Sequence, residues 1–330
     1  MEFEDMILFS VFGRPVTAYA LCLAISLGAG LFLFFAVGKK RGIPGDTLWR
    51  AALLALPLGL IGARAFYCAA RIYYFLEVGL DAMLRFWEGG YAMWGAVGGA
   101  ALALWIAAKT KKQPATLLLD AAAISGALII GLMRFAEYFS GEGRGFYLEN
   151  EAFCFFPVAV FRADYEEWHL AVFLWEGLMA LVILAVLLRK KRKPGHTARL
   201  FLILYSASQI LMESLRQDNT LRWLFVRVSQ LTAALVIAGL LIAAVIRWSK
   251  HPARRKMSGL QLALCWAVVL LGAGVCIAME FSVEGKIFIT LPIWAAYVIM
   301  AIACACIGTA AYRASFHSLK EDTVRPSYGM

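Results

Sequence analysis

Long apolar stretches broken by short polar loops run through almost the whole chain. They fall near residues 15–37, 48–75, 91–108, 117–139, 168–188, 198–216, 223–246, 259–280 and 287–311. Each approaches the roughly 17–25 residues that a helix needs to cross a bilayer. A segment in lipid must satisfy its own backbone hydrogen bonds, so these stretches are expected to be helices. The pattern predicts an all-α, polytopic integral membrane protein. About seven core transmembrane helices are followed by two appended C-terminal ones. Composition agrees: of 330 residues, 62% are hydrophobic, where soluble domains are nearer half apolar. Mean hydropathy is +0.73.

The net charge of +10 sits in alternate loops, which argues against a nucleic-acid partner. Basic clusters lie at Lys39–Arg41, at Lys109, Lys111 and Lys112, from Arg189 to Lys193, and from Arg247 to Lys256. Intervening loops carry acidic residues: Glu77 and Asp81, then Glu149, Glu151, Asp164, Glu166 and Glu167. The positive-inside rule places the basic loops in the cytoplasm and the N-terminus outside. With nine spans the C-terminus falls inside, where Arg313, Lys320 and Arg325 agree. The Met1–Met6 stretch is acidic without a basic n-region, so no cleavable signal peptide is expected. Residues 1–250 are expected to form the functional core, with a head loop at about 140–167. Residues 258–330 are expected to form an appended two-helix module and tail, set off by the basic linker Arg247–Met257.

Polar residues at membrane depth mark where chemistry could occur, because a charge there is costly and is retained against a cavity, partner or substrate. The fourth span ends RFAEYFSGEGRG, with Arg134, Glu137, Gly141, Glu142 and Gly145 close together. On the sixth span Tyr205, Gln209, Glu213 and Arg216 follow i, i+4, i+8, i+11 and share one helix face. Both polar faces open at the same membrane level, which predicts a pocket for a lipid or another substrate at the outer face. Arg64, in the middle of the second span, has two readings: partner of an anionic headgroup, or half of a buried ion pair with Asp120. The third span opens RFWEGGYAMWGAVGGA, whose glycines permit close helix approach.

Among the seven cysteines, Cys304 and Cys306 are two apart and diverge on a helix, so no ligand pair forms. The cysteines read as small apolar residues. No metal motif or Ser-His-Asp set is evident, and no cofactor is expected. What the pocket does offer is arginines, carboxylates and tyrosines. An arginine can grip phosphate bidentately and stabilise charge developing on a phosphate leaving group. A carboxylate can orient the arginine or accept a proton from a nucleophile.

The order GAR in span two, WEGG before a glycine-rich helix, R-x-x-(N/E)-x-x-x-G-E-x-x-G, and then Y…E-x-x-R-Q-x-D resembles the prolipoprotein diacylglyceryl transferases. The resemblance covers about residues 10–250. It implies transfer of a diacylglyceryl group from phosphatidylglycerol to the lipobox cysteine thiol of a prolipoprotein signal peptide, with glycerol phosphate leaving. It also implies multi-pass residence in a bacterial cytoplasmic membrane among membrane lipids, with the active site toward the outer face. Matching residues imply a catalytic set of Arg134, Glu142, Tyr19 and Glu213. Substrate contacts are implied at Arg64, Glu137, Gly141, Gly145, Tyr205, Gln209, Arg216 and Trp94. Asp120 and Asp218 also fit the family pattern. This chain departs from that pattern with Trp94 in place of a histidine, Glu137 in place of asparagine and Gln209 in place of arginine. The HPSQLYE motif reads LAVFLWE, keeping Leu174 and Glu176, with His169 one position from the expected histidine. These departures define a second reading, a paralogue that binds phospholipid or lipoprotein without transfer. A transporter is a third, disfavoured because the polar residues cluster at one face and trace no path across the bilayer.

Overall fold

The computed structural model describes residues 6–11, 13–162, 166–190, 192–218, 220–223, 226–283, 285 and 291–319. Asp164, Lys191, Lys320, Arg325 and the first five residues, which entered the charge and leader arguments, lie outside the described residues. Two short strands, β1 (Ile7–Val11) and β2 (Arg14–Thr17), form an antiparallel hairpin ahead of the first helix. The helices are α1 (Ala18–Lys40), α2 (Gly45–Ala70), α3 (Ile72–Val78), α4 (Met93–Thr110), α5 (Ala115–Ser140), α6 (Val172–Leu188), α7 (His196–Leu215), α8 (Val228–Lys250), α9 (Gly259–Val283) and α10 (Ile293–His317). Apart from the short α3, each corresponds to an apolar stretch of the sequence. Six are long and apolar enough to cross a membrane: α1, α2, α5, α8, α9 and α10. The chain is an all-α polytopic membrane protein.

Chain contacts divide the protein into two compact units, Met1–Ala233 and Ala234–Met330. In the first, α5 is the central helix. Half of its apolar window is buried, against 22–33% for the other long spans. It packs on α1, α4, α6 and α7. Its buried face is rich in alanine (Ala121, Ala123, Ala127, Ala136), which lets neighbours approach. α2 and α4 also lie backbone to backbone. A Cβ on Gly62 would meet the Gly95 carbonyl and the Gly99 Cα, and one on Gly99 would meet the Leu58 carbonyl. Gly95 and Gly99 of the third apolar stretch are therefore packing residues, while Gly98 faces open space. In the second unit α9 and α10 pair with each other, and Cys276 and Cys304 meet across them with sulfurs 3.9 Å apart.

Helix ends follow local chemistry. Thr17 caps α1 through the amide of Ala20. Pro44 and Pro114 precede α2 and α5, whose first amides need no intrahelical partner. Gly195 precedes α7 in a left-handed conformation and has no side chain with which to cap it. Asp120 on α5 supplies that cap, accepting from the amides of Gly195 at 2.9 Å and Ala198 at 2.8 Å. The same carboxylate pairs with Arg41 at 2.8 Å, and Arg41 also donates to Thr197. Asp120 is completely buried. Its partner is thus Arg41, and the Arg64–Asp120 pair left open by the sequence is not the one formed.

The head loop after α5 contains a hairpin of β3 (Ala159–Arg162) and β4 (Glu167–Leu170). A last short hairpin, β5 (Arg222–Trp223) with β6 (Val226–Arg227), leads into α8.

Candidate functional site

The site forms where α5 ends. Arg134 and Glu137 sit on its last two turns, one above the other at i, i+3. Gly141 closes the helix in the left-handed region, and Gly143 repeats that conformation two residues later. A Cβ on Gly143 would also collide with the Glu137 carboxylate and the Phe173 side chain. The chain then threads between two other segments. The Gly143 amide donates to Asp218 at 2.8 Å, the Gly145 amide to the Leu170 carbonyl at 2.8 Å, and the Gln217 amide to the Arg144 carbonyl at 2.9 Å. Gly145 and Arg216 form a bridge. A side chain at Gly145 would strike Val172 and the Leu215 carbonyl. Two of the signature's glycines, Gly141 and Gly145, thus have structural reasons to be glycine in the turn and the close approach they make.

Four charged groups make a closed ring. Arg134 pairs with Glu137 through Nη1 and with Glu176 through Nε at 3.1 Å. Arg216 reaches the same Glu176 oxygen at 3.2 Å and the second Glu137 oxygen at 3.5 Å. Guanidinium and carboxylate alternate around the ring, the arrangement that lets buried charges persist. Asp218 holds Arg216 from outside with two bonds, 3.0 Å to Nε and 2.6 Å to Nη2. Gln209 donates to Glu176 at 3.1 Å and to Glu213 at 3.3 Å, linking the ring to a third carboxylate. Arg227 donates to the backbone carbonyls of Glu213 and Arg216. Tyr205 stacks on Phe201, faces Trp94 at 5.8 Å between ring centroids and donates to the Met93 sulfur at 3.2 Å. A small cavity, water-sized rather than lipid-sized, lies among Arg134, Glu176, Tyr205, Ser208, Gln209 and Met212.

Of the residues expected at the site, Arg134, Glu137, Tyr205, Gln209, Glu213 and Arg216 come together. Tyr19, on the first turn of α1, lies where the charges of Glu137, Glu142, Arg134 and Arg216 act on its hydroxyl. Glu142 follows the α5 cap and is exposed at the rim. Partial burial, followed by the nearby negative charge of Glu137, pushes its carboxyl above the usual glutamate range. Burial acts on Asp218 in the same upward sense, but the two bonds from Arg216 prevail and hold it below the usual aspartate range. Trp94 is buried beside Tyr205, with its indole N–H unpaired.

Arg64 stands apart from the ring. Its guanidinium fans onto four backbone carbonyls: Ala82 at 2.7 Å, Met83 at 3.0 Å, Gly89, and Gly90 at 3.3 Å. Gly89 and Gly90 are both left-handed, the conformation in which the chain presents those two carbonyls. The GAR and WEGG motifs are therefore two halves of one contact.

Glu176 of the ring entered the sequence reading only as the retained glutamate of LAVFLWE and not as a site residue, and Arg227, which donates to backbone carbonyls beside the ring, was not singled out. Glu176 had a signal available, since it is the sole charge in the otherwise apolar α6. Arg227 carried the same signal, a charge inside the apolar stretch at 223–246, but the structure places it on β6 just ahead of α8. Among the described residues no cluster of three or more His, Cys, Asp or Glu is placed to hold a metal ion.

Residues 6–246 match the family model for prolipoprotein diacylglyceryl transferase. The chain is 30% identical over 246 residues to the phosphatidylglycerol–prolipoprotein diacylglyceryl transferase of Frankia alni, a match covering 70% of this chain and 63% of that protein. It is 28% identical over 240 residues to the enzyme of the same name from Streptococcus pyogenes serotype M5, covering 70% of this chain and 91% of that one. The match thus takes in less than two thirds of the Frankia relative and nearly all of the streptococcal one. With the signature segment, the polar face of α7 and Glu176 assembled into one site, the chain belongs to the prolipoprotein diacylglyceryl transferase family.

Proposed function

We propose that this protein transfers a diacylglyceryl group from phosphatidylglycerol to the lipobox cysteine of a prolipoprotein signal peptide. The observation that carries the reading is the pair of guanidiniums, Arg134 mostly buried and Arg216 buried, fixed side by side by shared carboxylates at one end of α5. Two planar cations so held suit the phosphate of a lipid headgroup and the charge that grows on it as it leaves. In the reaction a bond forms between the thiol sulfur and the glyceryl carbon as that carbon's bond to the phosphate oxygen breaks. The electron pair leaves on the phosphate of glycerol phosphate, and the thiol proton passes to a base. Glu142 suits that base, being at the rim with a raised affinity for protons. Tyr19, half-buried on the first turn of α1, suits a donor that orients the ligand. Glu176 and Asp218 act as positioning residues, since each grips a guanidinium. Trp94 supplies a donor only, for an indole N–H cannot accept a proton.

The alternation of basic and acidic loops supports a topology with the N-terminus and the loop near 140–167 outside a bacterial cytoplasmic membrane, which puts the site at the outer face. The basic, Pro-containing linker Arg247–Met257 supports residues 1–250 as the transferase core and 258–330 as an appended two-helix module. A binding-only paralogue is the second reading, favoured by Trp94 where the family pattern has a histidine and by Gln209 where it has an arginine. Arg134→Lys separates chance from chemistry. It keeps the charge but loses the planar fork, and transfer to a lipobox peptide should fall at least about tenfold, as loss of a charge-assisted bond implies. Unchanged transfer in this variant would overturn the assignment of the arginine pair.

A further inference from the structure

Glu137 fills the seat between Arg134 and Arg216. One carboxylate oxygen bonds Arg134, while the other lies 3.5 Å from Arg216. This is the position in which an anionic ligand would bridge the two guanidiniums. The ring's two carboxylates are not equivalent. Glu176 is held by Arg134, Arg216 and Gln209 together, and only 4% of its side chain is exposed. Glu137 is the looser member. Its side chain is more exposed, at 11%, and its second oxygen is buried without a hydrogen bond. A buried acceptor left in that state costs free energy that a rearrangement can recover. Glu137 also lies one turn from the end of α5, next to the left-handed Gly141 and Gly143, where the chain turns toward the rim.

We propose that Glu137 is a built-in competitor for the lipid phosphate: its carboxylate fills the two-arginine seat, and the phosphate of an anionic phospholipid binds by displacing it. This rests on the proposed reading of the arginine pair as a phosphate site. It makes Glu137 an affinity-determining residue of that site, opposite in effect to Glu176. Removing the Glu137 charge frees two donors for the ligand. Removing the Glu176 charge releases both guanidiniums from the geometry the ligand needs. The two changes alter net charge identically, so their signs separate exchange from bulk electrostatics.

The test is binding of the purified full chain to nanodiscs containing phosphatidylglycerol, with soluble glycerol phosphate as a competing ligand. Glu137→Gln should bind phosphatidylglycerol about tenfold or more tighter than wild type, the scale of one hydrogen bond to a charged group. Glu176→Gln should bind more weakly. Competition by glycerol phosphate should strengthen in Glu137→Gln if the phosphate group alone is recognised. If that competition is absent while nanodisc binding still tightens, the ligand is the lipid in its bilayer. Equal or weaker phosphatidylglycerol binding by Glu137→Gln overturns the proposal, and so does equal tightening by both variants. Should the glutamine variant lose its monodisperse folded state, Glu137→Asn provides the same comparison with the same expected sign. Transfer to a lipobox peptide, measured on the same samples, keeps the two ideas apart. Tight binding without transfer counts against the transferase reading and leaves the exchange intact.

Discussion

Asp120 is the strongest structural lever away from the site. Its carboxylate accepts from Arg41, from the Gly195 amide and from the Ala198 amide at 2.8–2.9 Å, with no exposure to solvent. It ties the end of α1 to the second turn of α5 and caps α7 where Gly195 cannot. Breaking a buried ion pair by removing one partner costs about 3–5 kcal/mol. Loss of a helix cap alone costs about 0.5–2 kcal/mol. Arg41 is 12% exposed and can recover some hydration, so Asp120→Leu should cost about 3 kcal/mol, near the lower end. The pair can be tested by a double-mutant cycle in reversible detergent-denaturation experiments on Asp120→Leu, Arg41→Met and the double variant. The double variant should be less destabilised than the sum of the singles, because it leaves no orphaned charge, yet it should retain about 1 kcal/mol from the missing cap. Asp120 and Arg134 are fourteen residues apart on one helix, about 21 Å, so phosphatidylglycerol binding should survive in folded Asp120→Leu protein. Additive single effects, or a cost below about 1 kcal/mol for Asp120→Leu, would refute the latch.

Arg64→Lys keeps the charge but cannot fan onto four carbonyls, and should lower stability by about 2–4 kcal/mol in the same denaturation assay; an unperturbed midpoint would contradict the clamp. For Glu142 the sign follows from its raised affinity for protons: a base must be deprotonated, so transfer should fall as pH drops through a carboxyl range above the usual one. Glu142→Gln should lose the activity and, with it, that pH dependence. Asp218 works the other way. Its carboxyl is held low, so its contribution to stability is fully present above the ordinary aspartate range and fades as pH falls below it; Asp218→Asn should flatten the acid limb of the unfolding profile. For topology, single cysteines on a cysteine-free background should be labelled from outside intact cells at position 150 and not at 191, and the reverse pattern would refute the charge-based orientation.

The helices were legible because lipid imposes a length and a composition on each span, and among the described residues each long helix coincides with an apolar stretch. The polar face of α7 was legible for a similar reason: Tyr205, Gln209 and Glu213 repeat at helical spacing and are all buried. Pairings were harder. An Arg64–Asp120 pair was one of two readings because each is a charge within a span, yet each is satisfied by groups no periodicity reveals: four carbonyls after α3 for Arg64, and Arg41 with the amides of Gly195 and Ala198 for Asp120. Glu176 was visible as an isolated charge in an apolar helix, but its central place in the ring depends on how α5, α6 and the end of α7 meet. The glycine signature read as a pocket, while the structure gives Gly141 a left-handed turn and Gly145 a close approach to the Leu215 carbonyl.

The most direct test of the account is to incubate the purified full chain with phosphatidylglycerol labelled in its diacylglyceryl part and a lipobox peptide, and to analyse the peptide by mass spectrometry. The account predicts a diacylglyceryl thioether on the cysteine, release of glycerol phosphate in equal amount, and loss of both products in Arg134→Lys. Phosphatidylglycerol binding with no thioether formed at any pH would contradict it.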